Sequence, residues 1–411
     1  MVRSGALPTR LLALKYGASL VWGPEMVDKA ILHAERVVDP ITGVISYNGK
    51  SRAMFTTHPI EKPYLIYQIG SADPELAVQA ARKVMQDVSG IDLNCGCPKP
   101  FSTHAGMGAA LLTNPDLLCS ILTALRQAMP PEITVTAKIR LLPTQEETKK
   151  LVERIINTGV SAITIHCRTR PMRPREKALQ ERLNEIVDFV NGLGKDIAVV
   201  ENGDCTGYDD ALRIRRVTKA SSVMIATAAE SNPSVFSPNP VTNVDKELVP
   251  SYLRLAKYLD NHWANSKFCV IQFKSSEDTA SKAEKHELKE LISKGKGYND
   301  MNSVVGEWTG EQELQEVAKA IQTRTGEAVF AHEPMPTSAE EVSAVQSVSS
   351  ENEEYGMPTS TPSNRPNPEP PSSGAPLGPS NEARMPIPAI ISGSDALTPT
   401  PTPAAFNFTP A

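Results

Sequence analysis

From about residue 60 to residue 230 two patterns alternate along the chain. Short apolar runs give way to longer segments whose apolar residues recur every three or four positions. The runs predict strands at Tyr64–Ile69, Ile91–Leu93, Ile133–Ile139, Ala162–His166, Asp196–Val200 and Ser222–Ile225. The longer segments predict helices at Pro74–Val88, Pro115–Met129, Gln145–Thr158, Lys177–Val190 and Tyr208–Thr218, with a helical turn near Ala228. Strands that are each followed by a helix specify a parallel sheet covered by helices. Ahead of this region come a helix from about Leu7 to Tyr16, stopped by Gly17, and a strand Ser19–Gly23. Residues 34–57 hold β-like runs around turn residues and predict a hairpin insertion.

Only Met1–Arg3 remain for a strand before the first helix, and a first strand is expected to be largely missing. Counting that truncated start gives eight strand positions, which favours a TIM (β/α)8 barrel over an open doubly wound sheet. No GxGxxG follows any strand, which argues further against a dinucleotide fold. Beyond about Val241 only helical periodicity remains, in SYLRLAKYLDNHW, KAEKHELKELISKG and EQELQEVAKAIQ. The chain is therefore read as a barrel over 1–240, a small helical domain over 241–325 and a tail over 326–411.

Charge separates the tail from the rest. The whole chain carries −5, and residues 326–411 hold ten Asp/Glu against two Lys/Arg, so residues 1–325 carry −5 − (−8) = +3. The tail also holds 16 of the 34 prolines and few aromatics, a composition that cannot bury enough apolar surface to offset ordering, and it is expected to be disordered. Proline-rich pieces such as PNPEPP leave a tail partner open against a plain solvated tail. The six cysteines are scattered with no secretory signal before them, which points to reduced thiols in an intracellular compartment. A cytoplasmic location is expected, with a nuclear or mitochondrial pool left open. No metal site is expected, because Cys95–Cys97 has no second ligand pair at zinc-like spacing. No apolar run approaches membrane-span length.

The candidate chemistry starts in Ile91–Leu112, IDLNCGCPKPFSTHAGMGAALL, where a strand delivers polar and sulfur-bearing residues into a proline-broken, glycine-flanked loop. Strand ends elsewhere add Gln68, Asn94, Cys97, Lys138, Arg140, His166, Arg168, Asn202-Gly203-Asp204 and Ala226-Thr227. A lone strand-end Lys is more often a solvated charge, and a lone His a satisfied core residue. Amide, amine, imidazole and thiol converging from six consecutive strands are a different matter. Gln68 can donate and accept at the edge of a heterocycle, and Lys138 and His166 suit a ring that becomes electron-rich when reduced. The segments after strands seven and eight lie where barrels bind phosphate through backbone N–H groups. Together these residues describe a flavin mononucleotide (FMN) site with Cys97 opposite the reducible end of the ring. The four arginines of CRTRPMRPREK (Arg168, Arg170, Arg173, Arg175) suit phosphate contacts, against the alternative of a solvated, charge-balanced loop.

DLNCGCP, the KIR strand end, HCRTR, ENGD and VMIATAAESNP, in this order, resemble the tRNA-dihydrouridine synthases, in particular the eukaryotic tRNA-dihydrouridine(20) branch, over about residues 1–325. The resemblance implies a flavin-bound barrel, a helical domain that grips tRNA, and NADPH-dependent reduction of a D-loop uridine, U20. It makes Cys97 the catalytic cysteine and general acid to C5. Gln68, Lys138, His166, Asn202, Gly203, Asp204, Ala226 and Thr227 become cofactor contacts. Asn94, Arg140 and the loop arginines fall on the substrate side. An ordinary thiol is mostly protonated near neutrality, the form a general acid needs. The family's first strand ends in an Ala-Pro-Met-like segment against the flavin, a place that Met1 takes here, and the basic residue often found at the position of Thr227 is absent. A monomer is expected. Two other readings remain: a flavin reductase of a free pyrimidine, and a flavin-free protein that only binds RNA or a partner.

Overall fold

The computed structural model describes residues 3–275 and 281–323. The chain divides into two units, 1–354 and 355–411, and every described residue lies in the first. The tail read as disordered lies outside the described residues.

Eleven strands are numbered in chain order: β1 Val21–Trp22, β2 Met26–Val27, β3 Glu35–Val38, β4 Ile45–Asn48, β5 Ala53–Thr57, β6 Leu65–Gly70, β7 Gly90–Asn94, β8 Thr134–Leu141, β9 Ala162–Thr169, β10 Ala198–Asn202 and β11 Ser222–Val223. One parallel sheet runs β1-β6-β7-β8-β9-β10-β11. β2 pairs with the far end of β6, so β1 and β2 make one strand position, broken where Pro24 lacks an N–H. Seven barrel positions are thereby filled. Among the described residues β11 pairs only with β10 and β1 only with β6, which leaves the first position open, as the sequence led one to expect. The sheet is nonetheless curled, because residues of both edges line the same cavity. The predicted insertion is a separate antiparallel sheet, β3-β4-β5.

Local signals set the helix starts. Asp73 accepts the N–H groups of Glu75 and Leu76 ahead of Pro74–Val84, and Thr144 and Glu147 form a capping box for Gln145–Ile156. Strand β6 is buried throughout, as a parallel strand covered on both faces must be.

The helical segment, expected as a domain of its own, shares one hydrophobic core with the barrel. Tyr252, Leu253, Val317 and Ile321 belong to the same buried cluster as Leu11 and Leu14 of the first helix, Leu7–Lys15. Buried Glu313 accepts from Ser251 Oγ at 2.6 Å and from Arg254 Nε at 2.8 Å, binding helix Gly310–Gln322 to helix Val249–Tyr258. The first helix is held on its other side by a buried ion pair. Arg10 donates to both Glu61 oxygens, at 2.9 and 2.6 Å, and to Thr56 O on the antiparallel sheet at 2.7 Å.

Candidate active site

Strand register assembles the site. Gln68 pairs with Asp92, Asn94 with Lys138, and His166 with both Arg140 and Asn202. Side chains alternate along a strand, so all seven share one face. Asp92 apart, they join Cys97 and Ala226 around a cavity of about 450 Å³. That is within the range of small-molecule sites. Val21–Gly23 line it from one sheet edge and Ser222–Ala226 from the other.

Below the cavity lies Asp92, fully buried, with a pKa raised by burial. Gln68 Nε2 and Thr136 Oγ1 donate to it at 2.8 and 2.7 Å. The Lys138 ammonium makes no hydrogen bond or ion pair among the described residues. Burial pushes its pKa down to about 8, against the pull of Asp92. His166 is lowered further, to about 3, by burial and by the cations of Lys138, Arg140 and Arg168. Its imidazole is therefore neutral. Arg168 Nη1 lies 3.4 Å from His166 Nε2, and a guanidinium only donates, so Nε2 accepts and Nδ1 keeps the proton.

Half-buried Cys97 sits in a loop tied down through its backbone. Asn94 Oδ1 accepts from Gly96 N at 3.0 Å and Cys97 N at 3.1 Å, while Arg140 Nε donates to Gly96 O at 2.8 Å. Ala109 N donates to Cys97 O at 2.9 Å. The chain returns beneath the loop through Gly108, at φ +59°, where a Cβ would stand 2.7 Å from Cys97 O. Cys95 is fully buried, its thiol turned to Leu93 O.

Other expected residues are placed differently. Arg168 is buried and donates to Glu176 O, Pro174 O and Asp204, so it clamps the loop it starts and offers no free guanidinium to a phosphate. Asp204, at φ +61°, turns its carboxylate to Arg168 and to Ala178 N at 2.7 Å, away from the cavity. Gly203 does not line the cavity either. A Cβ there would meet Ala178 Cβ at 2.7 Å, so the glycine serves close packing under that loop. Thr227 is exposed and outside the lining, and Met1 lies outside the described residues. Asn202 does line the cavity, and its Nδ2 donates to Met224 O, tying β10 to the end of β11. Arg170, Arg173 and Arg175 are exposed, with no side-chain partner among the described residues.

Two residues left out of the candidate set belong beneath the cavity: Asp92, which opens the motif DLNCGCP, and Thr136. Asp92 had a readable signal, since a carboxylate inside an apolar run falls two residues before Asn94 and so on its face.

The chain matches the family model "Dihydrouridine synthase (Dus)" over residues 1–325. It is 46% identical over 309 residues to a tRNA-dihydrouridine(20) synthase [NAD(P)+] of Schizosaccharomyces pombe, covering 73% of this chain and 62% of that protein. To the Saccharomyces cerevisiae protein of the same description it is 40% identical over 290 residues, 66% of this chain and 74% of that one. A tRNA-dihydrouridine(20a/20b) synthase [NAD(P)+] of S. cerevisiae is 31% identical over 239 residues, 58% of this chain and 60% of that one. The matched stretch thus spans about three fifths of the S. pombe relative's own length, 62%. On the family match across residues 1–325, the chain belongs to the dihydrouridine synthase family.

Proposed function

We propose that the chain is a flavin-dependent tRNA-dihydrouridine synthase that reduces the C5–C6 double bond of U20 in the D-loop, with NADPH as the source of hydride. The observation that carries the reading is the set Gln68, Lys138, His166, Asn202 and Cys97 around one cavity, in a member of this family. The relatives' names supply tRNA, position 20 and NAD(P).

The residues fit FMN. An unpaired, half-buried cation, a neutral imidazole carrying Nδ1–H and a side-chain amide face a cavity of about 450 Å³, which suits a flat heterocycle that gains electron density. FMN held there supplies two-electron chemistry between NADPH and the uracil. Lys138 places positive charge beside the ring, His166 offers Nδ1–H, and Gln68 is fixed at the wall by Asp92 and Asn94. The Cys97 thiol gives its proton to C5 of the uracil, the S–H bond breaking as the C5–H bond forms. Asn94 and Arg140 act on the substrate side by holding the Cys97 loop in place. Arg170, Arg173 and Arg175 meet tRNA phosphates at the rim, and the helical segment 241–323 extends that grip. One chain acts on one tRNA.

The test is to supply the purified chain with FMN, NADPH and an unmodified tRNA transcript and to map dihydrouridine. Dihydrouridine at position 20, with free uridine untouched, is the expected result. No product in tRNA from a flavin-loaded chain overturns the reading. Reduction of free uridine at a similar rate points to a small-molecule reductase, and failure to retain flavin to a flavin-free binding protein.

A further inference from the structure

Asp92 is fully buried on β7, two residues before Asn94 and on the same face. A carboxylate inside a barrel is costly unless its oxygens are hydrogen-bonded. Both are: Thr136 Oγ1 donates to Oδ1 at 2.7 Å and Gln68 Nε2 to Oδ2 at 2.8 Å. The Asn94 amide is oriented from the other side. The backbone N–H groups of Gly96 and Cys97 donate to its Oδ1 at 3.0 and 3.1 Å, so its Nδ2 turns to Gln68 Oε1, at 3.4 Å. Gln68 is thus held at both ends. Turning its amide over would set Oε1 against the carboxylate and Nε2 against Asn94 Nδ2, acceptor to acceptor and donor to donor. All the donors point one way, from the Cys97 loop to Asp92. Asn94 lies nearer the strand end than Asp92, so Nε2 points below the cavity and Oε1 lies on the side of the mouth.

We propose that Asp92 is a positioning residue of the cofactor site that acts through Gln68: it holds the amide so that Oε1 faces the cavity and accepts a hydrogen bond from an N–H of the bound ring. This rests on the proposed function. A primary amide can meet the edge of a heterocycle by either end, and a glutamine free to turn gives up binding energy in settling on one. Here the choice is made before the ring arrives. Nε2 has an N–H committed to the carboxylate below the cavity, while Oε1 keeps a lone pair beside its long contact with Asn94. The imide N–H of a flavin is present in the oxidised and the reduced ring alike, so the contact serves both states. The same chain of hydrogen bonds starts at the backbone N–H of Cys97, which ties the edge of the ring and the Cys97 loop to one buried anchor.

The test titrates the flavin-free chain with oxidised FMN, read by quenching of FMN fluorescence, with thermal unfolding measured beside it. If the wild type binds no FMN, the proposed function fails before this inference is reached. With a binding wild type, Asp92→Leu should weaken FMN binding about fivefold or more, because Gln68 loses the partner that sets its orientation. In a Gln68→Met background the same substitution should change binding less than about twofold, since Asp92 then has no amide to hold. Asp92→Asn should stay within about threefold of the wild type: its Oδ1 accepts from Gln68 while its Nδ2 donates to Thr136 Oγ1. Gln68→Glu combined with Asp92→Asn separates acceptor from donor. Position 68 is then acceptor at both ends, held by N–H groups of Asn94 and of the amide at position 92, and binding should stay within about tenfold of the wild type. A larger loss in this folded pair shows that Gln68 meets the ring as a donor and overturns the assignment. A folded Asp92→Leu chain with a smaller loss of FMN binding than expected overturns it too, since a merely structural role lowers the unfolding temperature and leaves binding alone. Equal losses in the two backgrounds also overturn it, because Asp92 then acts on its own. Should Asp92→Leu not fold, Asp92→Asn and the paired variant, which keep every hydrogen bond, decide the matter by the same limits.

Discussion

Cys97 and Lys138 make opposite demands on their surroundings. On the proposed function Cys97 has to present a proton to substrate, and its side chain is half-buried at the cavity while its backbone is fixed. Cys97→Ala should therefore keep cofactor and tRNA binding yet lower dihydrouridine formation at least about 100-fold; product mapping and a tRNA binding titration read the two separately. Lys138 instead carries a cost. Its folded pKa of about 8 lies below its ordinary 10.5. Between those values the unfolded chain binds a proton that the folded chain has lost, so this group's contribution to stability rises with pH across that window. Below pH 8 the penalty is present in full. Lys138→Met should stabilise the cofactor-free chain at pH 7 by on the order of 2 kcal/mol while weakening flavin retention. Thermal unfolding and bound-flavin absorbance test both halves, and a variant that is less stable with full flavin occupancy contradicts the assignment. His166 has the same sign in an acid window. Its folded pKa is about 3 against 6.5, so its contribution to stability declines as pH falls from 6.5 towards 3.

The loop after β7 works as one element. Asn94, Arg140 and Ala109 hold it from three directions, and Gly108 lets the chain pass beneath Cys97. Gly108→Ala would put a methyl group against Ser102 Oγ and Cys97 O at a positive φ. Stability should fall by about 2 kcal/mol and turnover at least tenfold, with Cys97 itself intact; denaturant titration and product formation are the checks. On the outer face of the sheet, Glu201 on β10 has both oxygens buried without a partner, and burial pushes its pKa up to about 8. Between 4.5 and 8 the folded chain holds a proton that the unfolded chain has lost, so this contribution to stability declines as pH rises. Glu201→Gln should gain on the order of 2 kcal/mol over the wild type at pH 8 and above, and little near pH 4.5; unfolding curves at the two pH values decide it.

At the scale of the molecule, the first helix is the join. It shares a core with helices Val249–Tyr258 and Gly310–Gln322 on one side and is stapled to the antiparallel sheet through Arg10 and Glu61 on the other. Both members of that ion pair are almost fully buried. Arg10→Met leaves Glu61 charged and unpaired, and should cost about 3–5 kcal/mol. Glu61→Gln combined with Arg10→Met should recover part of the loss, read by denaturant unfolding.

The order of elements and the strand-end residues were legible in the sequence, since alternation and periodicity are local properties. Period two placed Asn94, Lys138, Arg140, His166 and Asn202 on strands whose ends converge, and the motifs named the family. Side-chain direction in loops was not legible. Asp204 and Arg168 stand beside residues that line the cavity, yet they turn to each other, because a left-handed φ and a buried guanidinium share one electrostatic solution. The helical segment read as separate in sequence because its periodicity is self-contained, but its apolar face is completed by the first helix, about 240 residues earlier. The sequence by itself determined which elements form and which chemistry the strand ends carry. Tertiary structure decided which charged groups face the cavity and which face one another, because burial and pairing belong to neighbours distant along the chain.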